Sequence, residues 1–146
     1  ITVNGKMFSI SDSNDEFGKE IFVDGIKQKL EQVWIIVLNN ALDELSSSLD
    51  SFEDRVLSVN AKAENGYALV EFIDNAGGID ENIIDRIFDP LISTKTSSGM
   101  GMGLNIAKKI VEEHNGEIKV ENKNGGAVFT VTIPLVEAKI EDEDSE

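Results

Sequence analysis

The chain is 146 residues long and carries a net charge of −15, from 28 acidic against 13 basic side chains. That is the size of one domain with a single core, and its charge disfavours bare nucleic acid or an anionic membrane surface as partner. With zero cysteines and a single histidine, His114, it excludes disulfides, thiol chemistry and any multi-histidine metal cluster within this chain. No apolar run approaches the length of a bilayer span. The start, Ile-Thr-Val-Asn-Gly, lacks an initiator Met and a basic-then-apolar leader, as expected of a domain excised from a longer protein.

The first strong periodicity covers 24–45, where Ile26, Leu30, Val33, Trp34, Val37, Leu38, Ala41, Leu42 and Leu45 step by three or four. That spacing predicts an amphipathic helix. Next, 55–64 and 67–74 flank Asn65-Gly66, a two-residue hairpin signal. The second arm is nearly all apolar, which predicts a central strand. A short helix is expected over 80–88, with Asp80 as N-cap and Pro90 beyond its end. A Ser-, Thr- and Gly-rich loop follows over 89–103. A further helix then has Met102, Ile106, Ile110 and Val111 inward and stops near Asn115-Gly116. A second hairpin turns at Asn124-Gly125 into an arm on which Ala127, Phe129, Val131 and Ile133 alternate with Val128, Thr130 and Thr132. The pattern predicts an α/β (α+β) two-layer sandwich: a mixed, mainly antiparallel sheet on about three helices. Residues 1–136 form the expected domain, and 137–146, with six acids and one lysine, an acidic solvated tail.

Three features could do chemistry. Gly99-Met100-Gly101-Met102-Gly103-Leu104 opens a helix, where backbone N–H groups can meet phosphate. It lacks the Gly-Lys-Ser/Thr ending of a P-loop and is equally readable as a flexible helix entry. Asp74-Asn75-Ala76-Gly77-Gly78-Ile79 follows the most apolar strand. A carboxylate there can accept from an exocyclic amine and so favours adenine over guanine, although an Asp-Asn/Gly-Gly turn is the plainer alternative. Asn40 lies mid-helix, on a face shared with Ile36, Asp43, Glu44 and Ser47. Its carbonyl is a hard oxygen suited to Mg²⁺, against the default of a solvent-exposed side chain.

In this order the features resemble the catalytic ATP-binding (HATPase_c, or GHKL) domain of bacterial sensor histidine kinases, which has the Bergerat fold shared with gyrase and MutL. The resemblance runs over about 20–135. Gln32-Val33 through Asn39-Asn40-Ala41-Leu42-Asp43 is similar to the N box, and Asp74 to Ile79 to the G1 box. Arg86-Ile-Phe-Asp-Pro90 with Ser93-Thr-Lys95 is similar to the F box, and Gly99 to Leu104 to the G2 box. It implies that Asn40 holds Mg²⁺ on the phosphates, Asp74 binds the adenine amino group, and Gly78 lets the backbone approach adenine and ribose. Asp43, Ala76 and Ile79 complete those two boxes at the nucleotide. Gly99, Met100, Gly101, Met102, Gly103 and Leu104 belong to the hinge and phosphate cradle of an ATP lid over 89–103. Lys95 approaches the γ-phosphate, and Phe88 packs the lid base and helps contact the substrate domain.

The implied activity is ATP-dependent protein-histidine kinase, with ATP and Mg²⁺ as ligands. The partners are a phosphoacceptor-histidine dimerisation domain absent from this sequence and a downstream response regulator. The resemblance also implies a cytoplasmic domain, or the cytoplasmic part of a membrane-anchored sensor, without direct membrane contact. Alone, the domain is expected to bind ATP and turn over poorly. Ile36 departs from the pattern, in which a polar residue, often Asn, sits four positions before the Mg²⁺-binding Asn and ATP-hydrolysing relatives carry a water-activating glutamate there. It argues against a gyrase-like ATPase and against an anti-sigma-factor serine kinase, and leaves a non-catalytic nucleotide-sensing pseudokinase as the alternative. Ala76 replaces the first glycine of Asp-x-Gly-x-Gly, a benign change. His114, near a helix C-terminus, reads as a favourable partner of the helix dipole rather than a phosphoacceptor. Arg55 and Arg86 read as surface charges. Although the whole chain is acidic, 89–109 holds one acid (Asp89) against Lys95, Lys108 and Lys109.

Overall fold

The computed structural model describes residues 2–3, 6–7, 23–48, 55–90 and 103–136. The tail and Lys95, Gly99, Met100, Gly101 and Met102 lie outside the described residues. At the start, β1 (Thr2–Val3) and β2 (Lys6–Met7) pair antiparallel.

Helix α1 spans Lys27–Ser48, starting and ending three residues later than the apolar pattern predicts. Ile26 therefore lies before the helix, where its carbonyl accepts the first-turn bond from Leu30 N–H and its side chain is exposed. The buried stripe is Leu30, Val33, Val37, Ala41, Leu42 and Leu45. This face lies on a four-stranded antiparallel sheet of β3 (Leu57–Glu64), β4 (Tyr67–Asp74), β5 (Glu117–Lys123) and β6 (Gly126–Pro134), in the order β3-β4-β6-β5. Both Asn-Gly pairs make the two-residue turns their chemistry favours, with positive φ at each residue. Central β4 meets β6 with Phe72 opposite Phe129 and Val70 opposite Val131, which sets one apolar face toward the helices. Trp34 of α1 packs on Phe72 with ring centroids 5.9 Å apart.

The second helix, α2, spans Gly103–Glu113 and buries Leu104, Ala107, Ile110 and Val111. Ile106, expected inward, is instead exposed, because the buried stripe steps from Leu104 to Ala107 and passes it by. The helix stops as expected: Asn115 takes φ 60°, and Gly116 N–H donates to the Val111 carbonyl over 2.9 Å. Over 80–88, where a short helix is predicted, there is only a 3₁₀ turn at Ile84–Arg86. Ile84 N–H donates four residues back to the Asp80 carbonyl, but Arg86, Ile87 and Asp89 then donate only three residues back, to Ile83, Ile84 and Arg86. The segment therefore tightens into 3₁₀ turns and no helical ladder is established. The two layers thus form the expected sandwich, with two α-helices among the described residues where about three were expected.

Candidate nucleotide site

The register of β4 against β6 places the end of one strand beside the start of the other, with Ile73 opposite Val128. Asp74, at the end of β4, is only 6% exposed. Its Oδ1 accepts from Ala76 N–H at 3.0 Å and from Ala127 N–H at 3.3 Å. A carboxylate held by backbone donors from two segments has a fixed plane, whereas a surface aspartate would rotate. Gly126 lies so close to the Asp74 carbonyl and Asn75 Cα that a side-chain carbon there would collide with them. No residue but glycine lets β6 approach this point.

Beyond Asp74, the loop bends through Gly77 and Gly78, whose φ values of 93° and 83° suit glycine. Gly77 N–H donates to the Gly125 carbonyl over 2.9 Å. Ile79 is gripped at both its polar groups: its N–H donates to Asn122 Oδ1 and its carbonyl accepts from Asn122 Nδ2, each at 2.7 Å. Asn75 faces the other way, its Oδ1 accepting from Val56 N–H at 2.9 Å. Ala76 is buried and packs with Ala41, Leu42 and Leu45 of α1 and Leu57 of β3. That small cluster draws the helical turn carrying Asn40 against the loop after β4. Asn40 is 7% exposed, and Asp43 and Glu44 are half-buried one turn on.

Of the other residues predicted for the site, Phe88, Gly103 and Leu104 lie on either side of residues 91–102, which are outside the described residues. Phe88 packs edge-on against Phe129 at 6.2 Å, with Lys108 Nζ 6.0 Å from its ring centre. Lys108 also pairs with Glu112 at 3.9 Å. Gly103 begins α2 against Ile36, whose Cγ2 would lie 3.0 Å from any added side-chain carbon. Ile36 therefore fills an apolar contact under the start of α2. Leu104 is 1% exposed and packs in the core, so only its backbone could face a ligand.

Two expectations about charged groups change. Arg55, read as a surface charge, is 3% exposed at the start of the sheet, and no buried polar side-chain atom among the described residues lacks a partner. Arg86 is exposed as expected, donating to the Asn82 carbonyl. His114 does more than face a helix dipole. Its Nε2 accepts from Ile26 N–H at 3.1 Å, which puts the ring proton on Nδ1, the donor to the Ile110 carbonyl at 2.7 Å. The ring thereby ties the end of α2 to the start of α1, with both nitrogens engaged by backbone. Gly25 leaves room for it, since a side-chain carbon there would sit 2.6 Å from the imidazole.

Sequence reasoning passed over Asn122, Gly126 and the His114–Ile26 tie. The first two left signals. Asn122 interrupts the apolar phase of Ile118 and Val120 on the core side of β5, and Gly126 is surplus to an Asn-Gly turn. The third joins residues 88 apart and left none.

The family model for histidine kinase-, DNA gyrase B- and HSP90-like ATPases matches residues 25–137. Among curated proteins, the chain is similar to the C4-dicarboxylate transport sensor protein DctS of Rhodobacter capsulatus, with 36% identity over 107 residues. The match covers 73% of this chain and 16% of DctS. The sensory histidine kinase/phosphatase NtrB of the same species is 34% identical over 118 residues, 76% of this chain and 33% of NtrB. The chain therefore spans a third or less of either relative's length. Among solved structures, the catalytic domain of histidine kinase ThkA superposes with a TM-score of 0.66 at 29% identity, covering 77% of this chain and 70% of that one. The chain belongs to the histidine kinase-, DNA gyrase B- and HSP90-like ATPase family, and within it is a catalytic domain of the sensor-histidine-kinase type.

Proposed function

We propose that this domain binds Mg·ATP and delivers the γ-phosphate to a histidine on a separate dimerisation domain, from which a response regulator is then charged. The observation that carries this reading is the Asp74 carboxylate, buried and aimed by two backbone donors at the mouth of a double-glycine bend. Asp74 accepts the adenine amino group, and Gly78, with Ala76 and Ile79 beside it, brings the backbone against the base. Asn40 supplies a hard oxygen from α1, with Asp43 on the same helix face. Among the described residues no three His, Cys, Asp or Glu cluster in a metal cage. A lone amide oxygen fits Mg²⁺, which retains waters and phosphate oxygens as its other ligands. When bound, the ion neutralises phosphate charge. The chain's own contribution is positioning, from Asn40, from the backbone between Gly99 and Leu104, and from Lys95.

Ile36 against Gly103 favours a kinase over a hydrolase. An apolar contact at that place offers no base for water, whereas transfer to a histidine nitrogen needs none from this domain. The same contact disfavours the serine-kinase reading. His114 is not the acceptor, because Nε2 is already bound to Ile26 N–H.

The test mixes this domain with an intact dimerisation domain and labelled ATP. Acid-labile, base-stable phosphohistidine on the partner is the expected result. A domain that binds nucleotide yet never labels the partner is a sensor module instead. In parallel, Asn40→Ala abolishes the Mg²⁺ enhancement of ATP-analogue binding; an unchanged enhancement refutes Asn40 as ligand.

A further inference from the structure

We propose that Asn122, on the β5 edge strand and remote in sequence from every nucleotide-binding motif, is a positioning residue that pre-sets the double-glycine loop for adenine nucleotide. The proposal rests on the nucleotide-binding reading above. The loop after Asp74 contains consecutive glycines with left-handed φ, and glycine surrenders more conformational freedom on ordering than any other residue. The hairpin of β5 and β6 supplies its restraints from outside. Gly125 takes Gly77 N–H, Ala127 N–H fixes Asp74 Oδ1, and Asn122 closes both polar groups of Ile79 at 2.7 Å.

The Asn122 carboxamide behaves as a neighbouring peptide unit would, offering one acceptor and one donor to one residue, as a strand partner does. Its Oδ1 also rests against Gly78, where an added side-chain carbon would lie 2.7 Å away. No other standard side chain of that length presents the same acceptor–donor pair. Aspartate keeps the acceptor and loses the donor, and alanine loses both. Ordering this bend before the ligand arrives removes a cost that binding would otherwise bear. Asn122 therefore acts on affinity without touching the nucleotide.

The experiment compares wild type, Asn122→Ala and Asn122→Asp. It measures calorimetric affinity for a non-hydrolysable ATP analogue, melting temperature without nucleotide, and amide hydrogen exchange at Ile79 and Ala127. Asn122→Ala should weaken binding about fivefold to tenfold, the range expected for a lost pair of partly exposed hydrogen bonds. Ile79 exchange should rise in the nucleotide-free protein while Ala127 exchange holds. Asn122→Asp, which sets a carboxylate oxygen against the Ile79 carbonyl where Nδ2 donates, should weaken binding at least as much, and it carries the same test should the alanine variant not fold. A folded variant that melts earlier yet binds as wild type overturns the proposal and makes Asn122 merely structural. Wild type that binds no adenine nucleotide overturns the parent reading along with it, a result distinguishable because the Ile79 exchange difference survives.

Discussion

Asn65-Gly66 joins β3 to β4, and Asn124-Gly125 joins β5 to β6, through the same dipeptide with nearly the same φ values: 52° and 83° in the first, 52° and 78° in the second. From there they diverge. A side-chain carbon on Gly66 would meet open space, and the Gly66 carbonyl accepts from Leu135 N–H. The second turn continues into Gly126, pressed on the Asp74 carbonyl, and is preceded by Asn122, which grips Ile79. Sheet order creates the difference. Because β4 runs from Asn65-Gly66 toward Asp74 and β6 lies antiparallel beside it, one turn sits at each end of the sheet. Turn chemistry is local, but what a turn does depends on which strand end it is delivered to.

The same substitution at the two hairpins breaks this comparison most sharply. Gly126→Ala should cost about 3 kcal/mol or more, since the methyl must displace backbone and not a yielding side chain. Folded protein should lose most nucleotide affinity, because Ala127 N–H, the next residue's donor, is displaced from Asp74. Chemical denaturation and calorimetry check both, and a variant of wild-type stability would contradict the packing described. His114→Ala removes two hydrogen bonds at the α1–α2 tie and should cost about 1–2 kcal/mol. Its affinity for nucleotide, once folded, should stay within twofold of wild type, roughly within 0.4 kcal/mol. Gly66→Ala should cost least, about 1 kcal/mol from its left-handed backbone alone, with nucleotide affinity intact. Loss of affinity in Gly66→Ala would erase the distinction between the hairpins.

The main elements were readable because their signals are local. The 3.6-residue stripe of α1, two Asn-Gly turns and alternation along β6 each specify a structure within one segment. The family was readable from four motifs in order, and the family match over 25–137 bears that recognition out. Errors came where tertiary contacts decide. A stripe through Ile106 is as regular as one through Ala107, and only the helix's seat on α1 and the sheet selects between them. An arginine before a strand carries no mark of burial, yet Arg55 is enclosed. The 80–88 segment has good helical spacing but too few residues to carry a helix, and from Arg86 on its donors bond three residues back instead of four. Asn122 was visible as a polar residue in an apolar phase, but its purpose depends on a loop 43 residues away.

The central claim is that the β5–β6 hairpin holds Asp74 to read the amino group of adenine. It is tested most directly by calorimetric titration of wild type and Asp74→Asn with non-hydrolysable ATP and GTP analogues. The account predicts that wild type prefers the adenine analogue. Asp74→Asn should lose at least about tenfold in adenine affinity, the range of a charge-assisted hydrogen bond, and narrow the preference, because an amide can donate to the guanine oxygen. Equal adenine affinity in wild type and Asp74→Asn would contradict it.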